Sequence, residues 1–185
     1  MKKYLVALCA LALVAAATAG AIGLPGGGKV DTKKLDELIA KIGAVSTAVE
    51  AAKAKIDGAE ATLAAIAEAH GIADLMSDPA KIAELKNAVT DEDKAKLQAQ
   101  VEALATVPDD LNAVVASSTE LIAEIPNALT DLADQITKNP LAVKDLTSKK
   151  DKLTQGQAAL EQVGTDAPAL VESATNLSTT VAGLM

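Results

Sequence analysis

Between Leu35 and His70 the apolar positions recur at alternating steps of three and four residues: Leu35, Leu38, Ile42, Val45, Val49, Ala52, Ile56, Ala59, Leu63, Ile66 and His70. Such positions fall on one face of an α-helix, so the pattern is a seam that a helix lays along its neighbours. A helix from 32 to 69 is roughly 57 Å long at ~1.5 Å per residue. A two-stranded coiled coil carries charges beside its seam. Here Ile39, Ala48, Ala67 and Ala69 flank it, and the wider apolar face predicts packing in a bundle. Ala52 and Ala59 leave room for a close neighbour. Gly43 and Gly58 cost about 1 kcal/mol each against Ala without changing the register.

The rest of the chain repeats the theme. Asp31 or Thr32 is expected to cap the first helix, with Asp36 and Glu37 near its positive end. Gly71 is read as its C-cap, 72–76 as a turn over one end of the bundle, and Asp78-Pro79 as a restart. Ile82, Leu85 and Val89 form a short face; Thr90 then caps a new start at Asp91-Glu92-Asp93. The step of eight from Val89 to Leu97 predicts a bend or stutter in that second element. Pro108 with Asp109 and Asp110 opens the third, whose seam reads Leu111, Val115, Ser118, Ile122, Ile125, Leu129, Leu132 and Ile136, widened by Val114 and Leu121. Pro126 lies inside this seam and predicts a kink and not a break, because the apolar phase survives it.

Asn139-Pro140 is the next boundary. The last helix carries Leu146, Leu153, Leu160, Val163, Ala167, Leu170, Ala174, Leu177, Val181 and Leu184, with a second kink expected at Gly164 and Pro168. Its first half is thin, because Lys149 and Gly156 stand where apolar residues would complete the seam. No stretch alternates with a period of two, so no sheet is expected. Short connections near Pro108 and Pro140 predict antiparallel neighbours. The fold class is therefore all-α: an elongated up-down-up-down antiparallel bundle of four long helices with coiled-coil-like packing, one domain over 31–185.

The first thirty residues are read as an address and a tether. Lys2 and Lys3 precede an apolar run from Tyr4 to Ala17, and Ala17-Thr18-Ala19 offers a small-x-small cleavage site. This is the pattern of a secretory signal peptide over 1–19. The rival is an uncleaved anchor, since Tyr4 to Leu24 approaches the ~20 residues that span a bilayer. Lipidation at Cys9 is rejected: Leu8 precedes it and the apolar run continues beyond. Residues 20–30 form a Gly-rich linker. Within it Gly23-Leu24-Pro25-Gly26-Gly27-Gly28-Lys29 matches the spacing G-x-x-x-x-G-K, but Val30 replaces the Ser or Thr that a phosphate loop needs for its metal, and no strand precedes it.

Composition then excludes several chemistries. The 185 residues carry a net charge of −8, and every basic side chain other than His70 is Lys. Arg supplies the planar fork used on phosphates and guanine edges; its absence, with the acidic balance, argues against nucleic acid. Cleavage after Ala19 removes the one Cys and the one Tyr and leaves 15 lysines against 25 acids, a net charge of −10, with no disulfide and no cysteine metal site.

No constellation for catalysis stands out. His70 is the only His, so a di-iron site built on two Glu-x-x-His pairs is ruled out, and it reads as a residue capping the helix end. Asp91-Glu92-Asp93 and Asp109-Asp110 lack the calcium-loop pattern and sit where helix dipoles favour acids. Glu120 with Glu124, and Asp131 with Asp134, share helix faces and read as solvated. No catalytic residue, cofactor-binding residue, metal ligand or cofactor is assigned.

These features predict an exported, non-enzymatic, alanine-rich helical-bundle protein, periplasmic or secreted, with a structural or protein-interaction role in the cell envelope. Its expected partner is another protein, or a second copy met through helix faces. The alternative is a periplasmic chaperone-like or apolar-ligand or lipid-binding helical protein. Leu153-Thr154-Gln155-Gly156-Gln157 fits an L-T-x-x-Q signature that one family of small helical periplasmic chaperones carries twice; it occurs once here with nothing else matching, and no resemblance follows. Membrane contact is not expected once the signal peptide is gone, since the amphipathic helices of lipid binders carry a basic polar face and Trp or Phe on the other, whereas this chain is acidic overall and has no Phe or Trp.

Overall fold

The computed structural model of the chain describes residues 32–72, 75 and 79–185. The expected signal peptide, the Gly-rich linker, Asp31, Asp78 and most of the turn over 72–76 lie outside the described residues. The described residues are 92% helical and include no strand. Five helices follow in order: α1 (Lys33–Ala69), α2 (Pro79–Ala88), α3 (Asp91–Ala105), α4 (Val107–Lys138) and α5 (Val143–Leu184).

The seam of α1 is buried from Leu35 to Ile66, and His70 at its end is half-buried. Leu35, Leu38, Ile42, Val45, Val49, Ala52, Ile56, Ala59, Leu63 and Ile66 are all core residues; of the flanking positions Ile39 and Ala67 widen the buried face, whereas Ala48 is half-buried and Ala69 is exposed. Its start uses Thr32 in an unusual sense. The Thr32 carbonyl accepts the Asp36 N–H at 2.9 Å, while its hydroxyl donates to the Asp36 carboxylate at 3.1 Å. Its end is a Schellman motif. Gly71 takes φ 75°, the Ile72 N–H donates to the Ala67 carbonyl and the Gly71 N–H to that of Glu68, each at 2.9 Å. Ile72 is buried in the same cluster as Ala67, the apolar contact that accompanies this cap.

The second element is broken rather than bent. Helix α2 closes at Ala88, and Thr90 takes φ −84°, ψ 170°, an extended conformation that no continuous helix contains. Its hydroxyl accepts the Asp93 N–H at 3.2 Å, and Asp93 Oδ2 accepts the Thr90 N–H at 3.0 Å, a reciprocal capping box. Where four long helices were expected, three exceed thirty residues and the remaining stretch is two helices of 10 and 15 residues.

Two compact units emerge. The first joins the described residues up to Val49 with Ala113–Asp166; the second joins Glu50–Asn112 with Ala167–Met185. In the first unit the core of α4 is rotated from the expected seam. Leu111 opens the stripe at the edge of the second unit; Val114, Ser118, Leu121, Ile125 and Leu132 follow as buried, while Val115, Ile122, Leu129 and Ile136 are only partly covered. Steps of three and then four replace four and then three, so the flanking pair Val114 and Leu121 becomes the core pair. The Ser118 hydroxyl, buried among them, donates to the Val114 carbonyl at 2.8 Å. Helix α4 runs unbroken through Pro126, and α5 through Pro168.

The thin half of α5 has a physical explanation in this unit. Gly156 is buried, and a Cβ placed on it would stand 2.9 Å from Ile42 Cδ1, so the missing side chain is the space that Ile42 fills. Lys149 pairs with Asp36 and its side chain is only 15% exposed. These contacts also give direction. Residue 36 meets 149 and residue 42 meets 156, so α1 and α5 run parallel here, whereas an up-down-up-down order puts the first and last helices antiparallel.

The second unit shows why. His70 meets Asp93 and Lys55 meets Thr106, so α3 runs antiparallel to α1. The same Lys55 also reaches Asp110 in the first turn of α4. Only Thr106 separates α3 from α4; it stays in the right-handed region, φ −85°, ψ −16°, and its carbonyl accepts the Asp110 N–H at 3.0 Å. One residue in helical conformation cannot reverse the chain, since helical hairpins need two to five. Pro108 marks a helix start, as expected, but not a reversal. The core of this unit gathers Ala52–Ala67 of α1, Leu85 of α2, Leu97 and Leu104 of α3, Val107 and Leu111 of α4, and Ala174–Leu184 of α5, with Ile72 and Leu75 between α1 and α2.

Candidate functional site

Each cluster of polar side chains that the structure brings together includes a residue near a helix end. At the C-terminus of α1 the His70 ring presents Nε2 to Asp93 Oδ2 at 3.0 Å, with the two side chains 22% and 13% exposed. The same oxygen accepts the Thr90 hydroxyl at 2.7 Å and the Thr90 N–H at 3.0 Å. Hydrogen bonding from His70, then from the Thr90 hydroxyl and amide, holds the Asp93 carboxyl well below the usual carboxylate range. The cluster is a His, an Asp and a Thr, but in the wrong order for nucleophilic catalysis. Triads place the imidazole between hydroxyl and carboxylate. Here the carboxylate stands between the other two and takes the hydroxyl proton as its own hydrogen bond, so no base bears on the Thr90 oxygen.

A second cluster joins α1 to the α3–α4 junction. Lys55 Nζ donates to Thr106 Oγ1 at 2.7 Å and to Asp110 Oδ2 at 2.8 Å. Lys55 beside Asp110 lowers that carboxyl from its ordinary value. A third joins α1 to α5 through Asp36 and Lys149. All three attach α1, or in the first case the residue that follows it, to another helix.

The other residues singled out in the sequence stay dispersed. Glu120, Glu124, Asp131 and Asp134 are exposed, and Asp134 pairs only along its own helix with Lys138 at 3.9 Å. Asp91 and Glu92 make similar local pairs with Lys94 and Lys96. Exposed pairs of this kind contribute little to stability. Among the described residues no group of three His, Cys, Asp or Glu side chains is placed to hold a metal ion. No described helix is long and apolar enough to cross a membrane. In the L-T-x-x-Q segment, Leu153 is fully buried, Gly156 admits Ile42, and Thr154 and Gln157 bond along their own helix.

Sequence reasoning placed Thr90 and His70 at helix ends and missed that they share Asp93. The Thr90-x-x-Asp93 spacing, a capping-box pattern, was the available signal for half of that contact. Nothing local signals Lys55 to Thr106 and Asp110, or Asp36 to Lys149, because each joins positions more than fifty residues apart. No protein-family model matches the chain, and no curated protein or solved structure matches it either.

Proposed function

We infer that this is an exported, non-enzymatic helical-bundle protein whose role in the cell envelope is structural or protein-interacting, with long helices packed along their seams in the manner of coiled coils and a signal peptide cleaved after Ala19. The observation that carries this reading is the use made of the perturbed groups. Among the described residues, the carboxyls held below their ordinary range are Asp93 and Asp110, and both are occupied in joining α1, or His70 at its end, to α3 and α4. Groups tuned for catalysis face a substrate; these face other helices.

The test combines two measurements on the exported protein. Light scattering with gel filtration is expected to report self-association or a stable complex. Affinity capture from the native envelope is expected to retain a discrete protein partner. A monomer that retains nothing in either experiment would remove the interaction reading. A chaperone-like role is separated by substoichiometric protection of an aggregating client, which the structural role does not predict.

A further inference from the structure

The lysines are not spread evenly over the chain. Segments 33–41 and 134–152 carry eight lysines against five acids, while 42–133 and 153–185 carry six against nineteen. The structure brings the two basic segments to one end of the first unit. The Asp36–Lys149 pair sets Lys33 level with Leu146, so the start of α1 lies beside the first turns of α5, and four residues connect those turns to the close of α4. Among the described residues, Lys34, Lys41, Lys144, Lys150 and Lys152 form no ion pair, while Lys138 and Lys149 do; elsewhere Lys55, Lys94 and Lys96 are paired and Lys53 and Lys86 are not.

The same end carries the most exposed large apolar side chain described. Leu141, in the turn between α4 and α5, is 74% exposed, and Val143 after it is 38% exposed. Lys138 and Lys144 flank them.

We propose that this end of the first unit docks on the surface of an anionic lipid bilayer, with Leu141 and Val143 entering the interface and the surrounding lysines meeting lipid phosphates. Lysines near an anionic membrane surface draw a segment to it, and an exposed aliphatic tip adds the apolar contact that a protein of net negative charge otherwise lacks. The acidic remainder of the chain is repelled by the same surface, so the lysine-rich end is the part drawn to it. This goes beyond the interaction role inferred above and does not depend on it.

The experiment uses the full chain with Cys9→Ser and Leu141→Cys, an environment-sensitive dye on the new thiol, and vesicles of phosphatidylcholine alone or mixed with phosphatidylglycerol. Dye emission is expected to shift to the blue on the mixed vesicles only, and the shift to fade with added salt. Lys34→Glu, Lys144→Glu and Lys150→Glu together are expected to weaken partitioning more than ~100-fold, at about fivefold for each lysine charge removed. Lys86→Glu, outside the basic segments, is expected to change it by less than about fivefold. Equal binding to both vesicles, unaffected by the triple substitution, would assign attachment to the N-terminal apolar run and overturn the proposal. Failure to bind the mixed vesicles would overturn it, as would a blue shift that grows with protein concentration in the absence of lipid, the mark of a second copy on this end.

Discussion

His70 Nε2 stands 3.0 Å from Asp93 Oδ2, and the contact joins the last residue before the Schellman glycine of α1 to the capping box of α3. One carboxylate thus serves two helix ends. Its acceptance of the Thr90 amide and hydroxyl satisfies the N-terminus of α3, and its acceptance from the imidazole fixes that N-terminus against α1. The dependence of stability on pH follows from this arrangement.

In the folded chain the Asp93 and Asp110 carboxyls ionise at lower pH than they do when unfolded. The unfolded state therefore binds more protons in acid, and stability falls as pH falls. The contribution of both groups is full above the ordinary Asp value, ~3.9, and is lost as pH drops below it toward the folded-state values. Urea midpoints measured by circular dichroism from neutral to acid pH should show this decline. Asp93→Asn and Asp110→Asn should each flatten it, and a decline unchanged in both would contradict the assignment.

Thr90→Ala removes the hydroxyl that accepts the Asp93 N–H and donates to its carboxylate. Loss of an N-cap of this kind costs about 1 kcal/mol. The effect should appear in denaturant unfolding, with hydrogen exchange accelerated first in the opening turn of α3. Gly71→Ala should cost a similar ~1–2 kcal/mol for a different reason. There is open space around Gly71, but its φ of 75° is unfavourable to any side chain.

Two helical glycines should respond in opposite ways to the same substitution. Gly58→Ala meets nothing within 4 Å and should stabilise by up to about 1 kcal/mol through helix propensity. Gly156→Ala places its methyl 2.9 Å from Ile42 Cδ1 and 3.1 Å from Ile42 Cγ2, in a core where Ile42 has no exposed surface. Overpacking of that sort costs ~1–3 kcal/mol and outweighs the propensity gain. Ile42→Val removes Cδ1 and should recover part of the loss in the double variant. Additive effects of the two substitutions in chemical melts would show that Ile42 does not fill this space.

Helix α2 has ten residues, too few to be stable by propensity alone. Leu85, fully buried in the core of the second unit, is its anchor. Leu85→Ala should cost ~2–5 kcal/mol and speed hydrogen exchange over 79–88 more than over 107–138. Leu141→Ser, at a position 74% exposed, should leave the melting curve unchanged.

Much of this fold was legible along the chain, because the information was local. The three-four spacing from Leu35 to Ile66 marked the buried stripe of α1, Gly71 its end, Thr90 the start of α3, Pro108 that of α4, and Asn139-Pro140 the turn before α5. Each of these depends on residues within a few positions of one another, where helix geometry and capping act. The stripe of α4 was legible only to within one position, since Val114 and Val115 are equally apolar and only a neighbour decides which one faces it.

The path of the chain through space was not legible. A proline in a first turn starts a helix equally well after a reversal or after a one-residue step, and the contact of Lys55 with both Thr106 and Asp110 decides for the step. Lys149 and Gly156 read as gaps in a seam until Asp36 and Ile42 arrive to fill them. Short-range order sets which residues are helical and which face is apolar. Which helix covers that face, in which direction, and which carboxylate meets which cation are set by packing between residues far apart in sequence, and only the folded chain decides them.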